Sequence, residues 1–317
     1  TGSTHWVEHM LFKGGGKLKK GEIDHLISRV GGKTNAYTDT DFTTYFETLP
    51  AAEMDTALLI ESERMRNAAF DPKEVEAERT VVISEREGAE NQPEFLTDEE
   101  LWGLAFQIHP YHWTPIGFKQ DLARFDRDPL YAHYLRYYAP NNAFLVLVGG
   151  FDPAVAMQHI RESFSPLKPE PAPPPMHLVE PEQHGERRSD LERPGATDLL
   201  SVGWHVPPFV HEDTPAILLL ATILGGWHGL TPFVAGDWRP RSNRLYRALV
   251  DAKLATDVGV RHELKVDPAR LIASATVANR VSPDRVERVL DREVERIQKA
   301  PPTKPEMERA KRQVRSW

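Results

Sequence analysis

The stretch HWVEHMLFKG, His5 to Gly14, decides how the first part of this 317-residue chain is read. At 100° per residue on a helix, Glu8 lies about 60° to one side of His5 and His9 about 40° to the other, so the three share one face. Trp6, Val7, Met10 and Leu11 occupy the opposite arc. A helix of this kind anchors its apolar side in a core and turns its polar side to a cleft. Two imidazoles at i and i+4 both reach one tetrahedral zinc ion, with a carboxylate between them to stand beside a water. With 13 His and 47 acidic residues in the chain, chance supplies roughly 0.08 copies of HxxEH. On the motif alone, two solvated histidines on an exposed helix remain the alternative.

Outward from this stretch, Ile23, Leu26, Ile27 and Val30 fall at i, i+3, i+4 and i+7, and Gly31 follows. The spacing predicts an amphipathic helix over 22–30 with a glycine C-cap. Residues 34–38 and 42–49 are rich in Thr, Tyr and Phe and are parted by Asp39, Thr40 and Asp41, which predicts a β-hairpin. A helix is expected over 51–68. Another starts at Asp71 and Pro72 and runs to about Glu87, and the pairs Asp128–Pro129 and Asp152–Pro153 repeat that capping signal. Between those two pairs, the apolar run Ala143–Val148 has strand length and is expected to be buried on both faces.

Eight prolines between residues 165 and 195 exclude a sustained helix or a central strand there. The expected organisation is a domain over 1–165 that carries the HxxEH helix, a Pro-rich linker over 166–195, and a related domain over 196–317. The second half reads as a strand over 199–206, helices over 213–224 and near 242–250, a strand over 271–277 and a final helix from about Glu306. A weak repeat supports the kinship: Ala143–Phe164 reads strand, Asp-Pro cap, helix, and Leu271–Ile297 reads strand, Ser-Pro cap, helix. The expected fold class is α+β, two related domains each made of a mostly antiparallel sheet packed against helices.

Composition narrows the chemistry. No cysteine is present, so any metal site must use His, Asp and Glu. The 39 Lys+Arg against 47 Asp+Glu leave a formal charge of −8, which argues against nucleic acid as a partner. The longest apolar stretch, Ala216–Leu224, falls far short of the ~20 residues a membrane-spanning helix needs, so no membrane partner is expected. The chain opens without Met, close to a helical pattern, and is expected to be a fragment of a longer protein. A soluble protein is expected, its compartment open between cytoplasm and periplasm.

A catalytic zinc takes three protein ligands and keeps one position open. The helix from Pro72 offers Glu74, Glu76, Glu78, Glu85 and Glu87, and periodicity does not choose among them.

Several ordered segments together carry a resemblance: HWVEHMLFKG (5–14), GGKTNAYTDTDFTTYFETL (31–49), ERMRNAAFDPKEVEAERTVVISE (63–85), HPYHWTPIG (109–117) and YYAPNNAFLVLVGGFDP (137–153). In these segments the chain resembles the inverzincin metallopeptidases of the pitrilysin/insulinase and mitochondrial processing peptidase type. The resemblance implies one Zn²⁺ per chain held by His5, His9 and Glu85, with Glu8 as general base. It places Glu78 beside them as a further carboxylate that orients a ligand or the water. It makes the strand with Asn35, Ala36 and Tyr37 the edge on which an extended substrate is held. His109 and His112 become structural, and the family's closed chamber implies a partner half, giving a homodimer or a heterodimer with a paralogous half.

The resemblance implies a zinc-binding domain over 1–165 that lacks the family's first strands and a non-catalytic domain over 196–317 truncated at its end, and two further departures accompany it. The family continues KGT where this chain has Lys13, Gly14, Gly15 and Gly16, so a longer or looser loop is expected. After Gly225 and Gly226 an apparent insertion reaches Pro240, and Arg244 and Tyr246 stay divided between contact with substrate and a packed helix. The function implied is zinc-dependent endopeptidase cleavage of peptides or presequences held in extended form. The alternatives are a catalytically silent scaffold or partner subunit of the same fold, and a chain with a structural zinc or no metal.

Overall fold

Helix α1 (Ser3–Met10) buries Trp6, Val7 and Met10 completely, with Leu11 beside them, against Phe70, Val75, Val82, Leu122, Leu130 and Tyr134. The apolar arc read from the sequence is thus the face that meets the core, and at about 1.5–3 kcal/mol per buried large side chain it is what holds so short a helix in place. The computed structural model describes residues 1–176, 178–195, 197–226 and 241–316. These divide into two units, 1–91 with 113–178 and 92–112 with 179–317.

In the first unit, α1 is followed by α2 (Glu22–Arg29), β1 (Lys33–Thr38), β2 (Thr43–Thr48), α3 (Met54–Arg66) and α4 (Pro72–Glu90). Gly31, at φ 71°, closes α2: its N–H donates to Ser28 O and that of Gly32 to Ile27 O, a pattern that needs a left-handed residue at this point. Strands β1 and β2 pair antiparallel from Lys33–Thr48 to Thr38–Thr43 as a two-stranded sheet. Asp71 caps α4 by accepting from Lys73 N. The chain then contributes α5 (Pro93–Ala105) to the second unit and returns with a short turn α6 (Lys119–Leu122), α7 (Arg127–Tyr137) and α8 (Pro153–Phe164). Helix α7 starts two residues before the expected Pro129, which sits in the first turn, where backbone N–H groups have no helical acceptor to lose.

Two expectations for this unit are corrected. Ala143–Val148 is not a strand, and it is not buried: Phe144 is 90%, Val146 70% and Val148 89% exposed. None of the described strands lies beside it, and an extended segment without a ladder has nothing to satisfy its backbone or cover its faces. The glycine loop after α1 is tight, not loose. Gly15 N donates to Leu18 O at 2.7 Å, Leu18 N returns to Gly15 O, and Ala69 N donates to Gly14 O. A Cβ on Gly15 would sit 2.0 Å from Asn67 O, so only glycine admits this close approach.

The second unit is built on β3 (Leu199–Val206), β4 (Ala255–His262) and β5 (Ala269–Val277), antiparallel in the order β3-β5-β4. Helices α9 (Thr214–Leu224), α10 (Pro283–Lys299) and α11 (Lys304–Arg315) cover it, with a π-helical turn at Tyr246–Val250. Val258, Val260, Leu271, Ala273, Leu290 and their neighbours form its core. Residues 92–112, which the sequence reading places with the first domain, pack here through α5. Helix α5 and strand β4 carry no sequence expectation and emerge from the structure. The fold is α+β, small antiparallel sheets packed against helices. The insertion between Gly226 and Pro240, His228 included, lies outside the described residues.

Candidate metal centre

The polar face of α1 meets α4 where Glu85 follows Glu78 by two helical turns. His9 Nε2 lies 3.3 Å from His5 Nε2 and 3.3 Å from Glu85 Oε2, and His5 Nε2 lies 3.6 Å from the same oxygen. Two ring nitrogens and a carboxylate oxygen aimed at one point repel each other unless a cation or proton stands among them. Zinc bonds of about 2.0–2.1 Å in a tetrahedron put neighbouring ligand atoms about 3.3–3.4 Å apart. The three observed separations therefore fit three vertices of such a shell. Among the described residues this is the one grouping of three or more His, Asp or Glu side chains with ligand atoms so close together.

Electrostatics favours a cation here. Burial, reinforced by the neighbouring His9, pushes the His5 imidazole down to about 4, so it is neutral and has a free lone pair at pH 7. For His9, burial opposes the charged form, but the hydrogen bond it donates to Glu78 and the charges of Glu85, Glu78 and Glu8 outweigh it and raise the pKa. Glu78 Oε1 holds His9 Nδ1 at 2.9 Å, which turns Nε2 toward His5 and Glu85, the usual carboxylate support for a ligating histidine. Burial works against the charged form of Glu78, yet His9 and Lys13, whose Nζ is 2.6 Å from Oε2, bring its pKa below the ordinary value. His5 Nδ1 is buried with no hydrogen-bond partner among the described residues, so that ring is held by packing.

Glu8, 8% exposed, sits between the two histidines along the helix, and burial raises its pKa against the hydrogen bond it accepts from Thr38 Oγ1 at 2.5 Å. The C-terminal end of α1 is fixed by the buried Arg64. Its Nε donates to Leu11 O, its NH1 pairs with Glu47 and Glu61, and its guanidinium stacks 4.5 Å from the Phe12 ring centroid.

Asn35, Ala36 and Tyr37 lie on β1, which pairs with β2 on one side and with no other strand among the described residues. Asn35 Oδ1 accepts from Ala36 N at 2.9 Å, and the Asn35 side chain is exposed. His109 and His112 are bonded elsewhere, His109 Nε2 to Asp267 at 3.3 Å and His112 Nδ1 to Phe106 O at 2.5 Å. Arg244 makes a two-pronged ion pair with Glu306, and Tyr246 packs against the core of the second unit. Sequence reasoning missed Lys13 and Thr38. Lys13 lies past the end of α1, where helical spacing gives no signal, and Thr38 is the residue of β1 directly after Tyr37.

The chain belongs to peptidase family M16: residues 1–115 match the family model described as insulinase (peptidase family M16), and residues 124–314 that of the peptidase M16 inactive domain. It is 28% identical to the zinc protease PqqE of Helicobacter pylori over 98% of this chain and 68% of that protein. It is 26% identical to the mitochondrial-processing peptidase subunit beta of Lentinula edodes over 71% of this chain and 49% of that subunit. The fold matches the crystal structure of a protease from Helicobacter pylori with a TM-score of 0.91 at 28% identity, covering 98% of this chain and 73% of that one. The chain spans about half the length of several of its curated relatives.

Proposed function

We propose that this chain supplies the catalytic half of a zinc-dependent endopeptidase acting on peptides held in extended form. The observation that carries the reading is the tetrahedral spacing of His5 Nε2, His9 Nε2 and Glu85 Oε2, with Glu8 on the same helical face. When bound there, zinc supplies Lewis acidity to water and to the scissile carbonyl. Glu8 accepts the proton of the attacking water and delivers it to the leaving amine. Glu78, backed by Lys13, holds His9 in the ligating orientation. The edge of β1 opposite β2, at Asn35–Tyr37, offers main-chain groups to an extended peptide, a mode that fixes the backbone and tolerates varied side chains.

The match of 124–314 to an inactive-domain description supports reading the second half as non-catalytic. The subunit name of the fungal relative supports a second half as partner, either another copy or a paralogue, which sizing chromatography of the full-length protein tests. No described helix is long and apolar enough to cross a membrane.

The decisive test compares the full-length protein with Glu8→Gln on a fluorescence-quenched peptide, with and without chelator. Glu8→Gln is expected to keep stoichiometric zinc and lose at least about 10²-fold in kcat. His9→Ala and Glu85→Ala are expected to lose zinc on dialysis. Equal turnover in Glu8→Gln removes the general base, chelator-resistant cleavage removes the zinc, and absent cleavage favours the silent-scaffold reading.

A further inference from the structure

Glu8 is one end of a line of hydroxyl groups. Thr38 Oγ1 donates to Glu8 Oε2 and lies 3.2 Å from Thr43 Oγ1. These two threonines are the last directly opposed pair of the β1–β2 hairpin. Nearby, the hydroxyls of Tyr138 and Tyr45 lie 3.1 Å apart. Tyr45 is on β2, and Tyr138 directly follows α7.

Each hydroxyl has one proton to give and lone pairs to receive, and an ionised carboxylate only receives. One polarity satisfies both threonine links: Thr43 donates to Thr38 and Thr38 to Glu8. Hydrogen bonds aligned in this way polarise one another and strengthen the last of them. Glu8 Oε2 is therefore committed as an acceptor, the carboxylate plane is fixed, and Oε1 is left to take a proton.

We infer that Thr38 is a positioning residue for the general base, and that it ties the base to the strand on which the peptide lies. Thr38 ends β1, directly after Asn35, Ala36 and Tyr37, so the base and the substrate edge share one rigid element. The inference rests on the peptidase reading above. It accounts for a threonine that packing alone leaves unexplained, since valine has the same shape.

The test uses the zinc-loaded full-length protein and a fluorescence-quenched ten-residue peptide rich in Lys and Arg, comparing Thr38→Val with Thr38→Ser. Thr38→Val is expected to lower kcat by about 10- to 100-fold with KM within about twofold, and Thr38→Ser to stay within about threefold of the unaltered protein. Zinc content is expected to be unchanged in both. An undiminished kcat in Thr38→Val overturns the inference, as does a rise in KM alone, a parallel loss in the serine variant, or loss of zinc. Should Thr38→Val fail to fold, Thr43→Val breaks the next link and is expected to lower kcat about three- to tenfold; no loss there is equally fatal. If the unaltered protein shows no chelator-sensitive cleavage, the peptidase reading fails first, and that outcome is distinct from all of these.

Discussion

Residues 269–277 and 143–148 are both apolar runs, each followed by a helix that opens on a Ser-Pro or Asp-Pro pair, and they end in different structures. The first is the central strand β5, paired on both sides and buried along most of its length. The second lies extended with Phe144, Val146 and Val148 largely in solvent. The helices that follow them, α10 and α8, form alike. A helix closes its hydrogen bonds within its own segment, whereas a strand depends on a neighbour that its own sequence does not name. The lesson concerns how far local pattern reaches: to helices and caps, and to strands only where a partner is close in the chain, as in the β1–β2 hairpin.

The strongest test of that contrast places a charge in each run. Ala273→Asp, at a position 1% exposed, is expected to cost about 4 kcal/mol or to prevent folding of the second unit, while Val146→Asp should stay within about 0.5 kcal/mol. Urea denaturation followed by circular dichroism checks both, and equal losses would break the comparison.

Metal removal separates the two units. Because His5, His9 and Glu85 all belong to the first unit, stripping a bound zinc is expected to lower the stability of that unit by about 3–4 kcal/mol and leave the second unchanged, as seen by hydrogen exchange. Protection lost equally from β5 would count against it.

Buried histidines bring the units back together. Burial pushes His133 down to about 4, with Arg136 adding to the effect, and burial also lowers His262 in the second unit. A histidine depressed in the folded state takes up its proton more readily when unfolded, so stability is full above about 6.5 and declines as pH falls toward 4. For His133 the loss is at most about 3 kcal/mol. Denaturation midpoints at pH 7.5, 5.5 and 4.5 should fall in order, and His133→Gln should flatten the fall in the first unit.

The smallest expected effect concerns the caps of the paired helices. Asp152 accepts from Ala154 N and Val155 N, whereas Ser282 makes no side-chain cap bond. Asp152→Ala should therefore cost about 1 kcal/mol and Ser282→Ala a few tenths. A reversed order in thermal melts would overturn this.

Much of the candidate site was legible before any coordinates. The spacing of His5, Glu8 and His9 forces them onto one face, and the Trp6, Val7, Met10 and Leu11 arc says which face is buried, because a helix turns by a fixed angle per residue. Glu85 was not legible from spacing, since α4 offers six carboxylates and only packing against α1 selects the one that meets both imidazoles. Thr38 and Lys13 were passed over for a different reason: each acts on a charged neighbour, Glu8 or Glu78, whose need for a partner appears only once it is buried. The buried Arg64 gives the same lesson.

By itself the sequence determined α1 to α4 and α7 to α10, the hairpin, the Gly31 stop and the polar face of α1, all features set by short-range backbone geometry. Only the tertiary structure decided that β4 and α5 exist as they do, that 143–148 stays exposed, and that one glutamate among the six of α4 meets two imidazoles. Those outcomes depend on contacts between residues tens of positions apart, and such contacts leave no periodic trace in either partner.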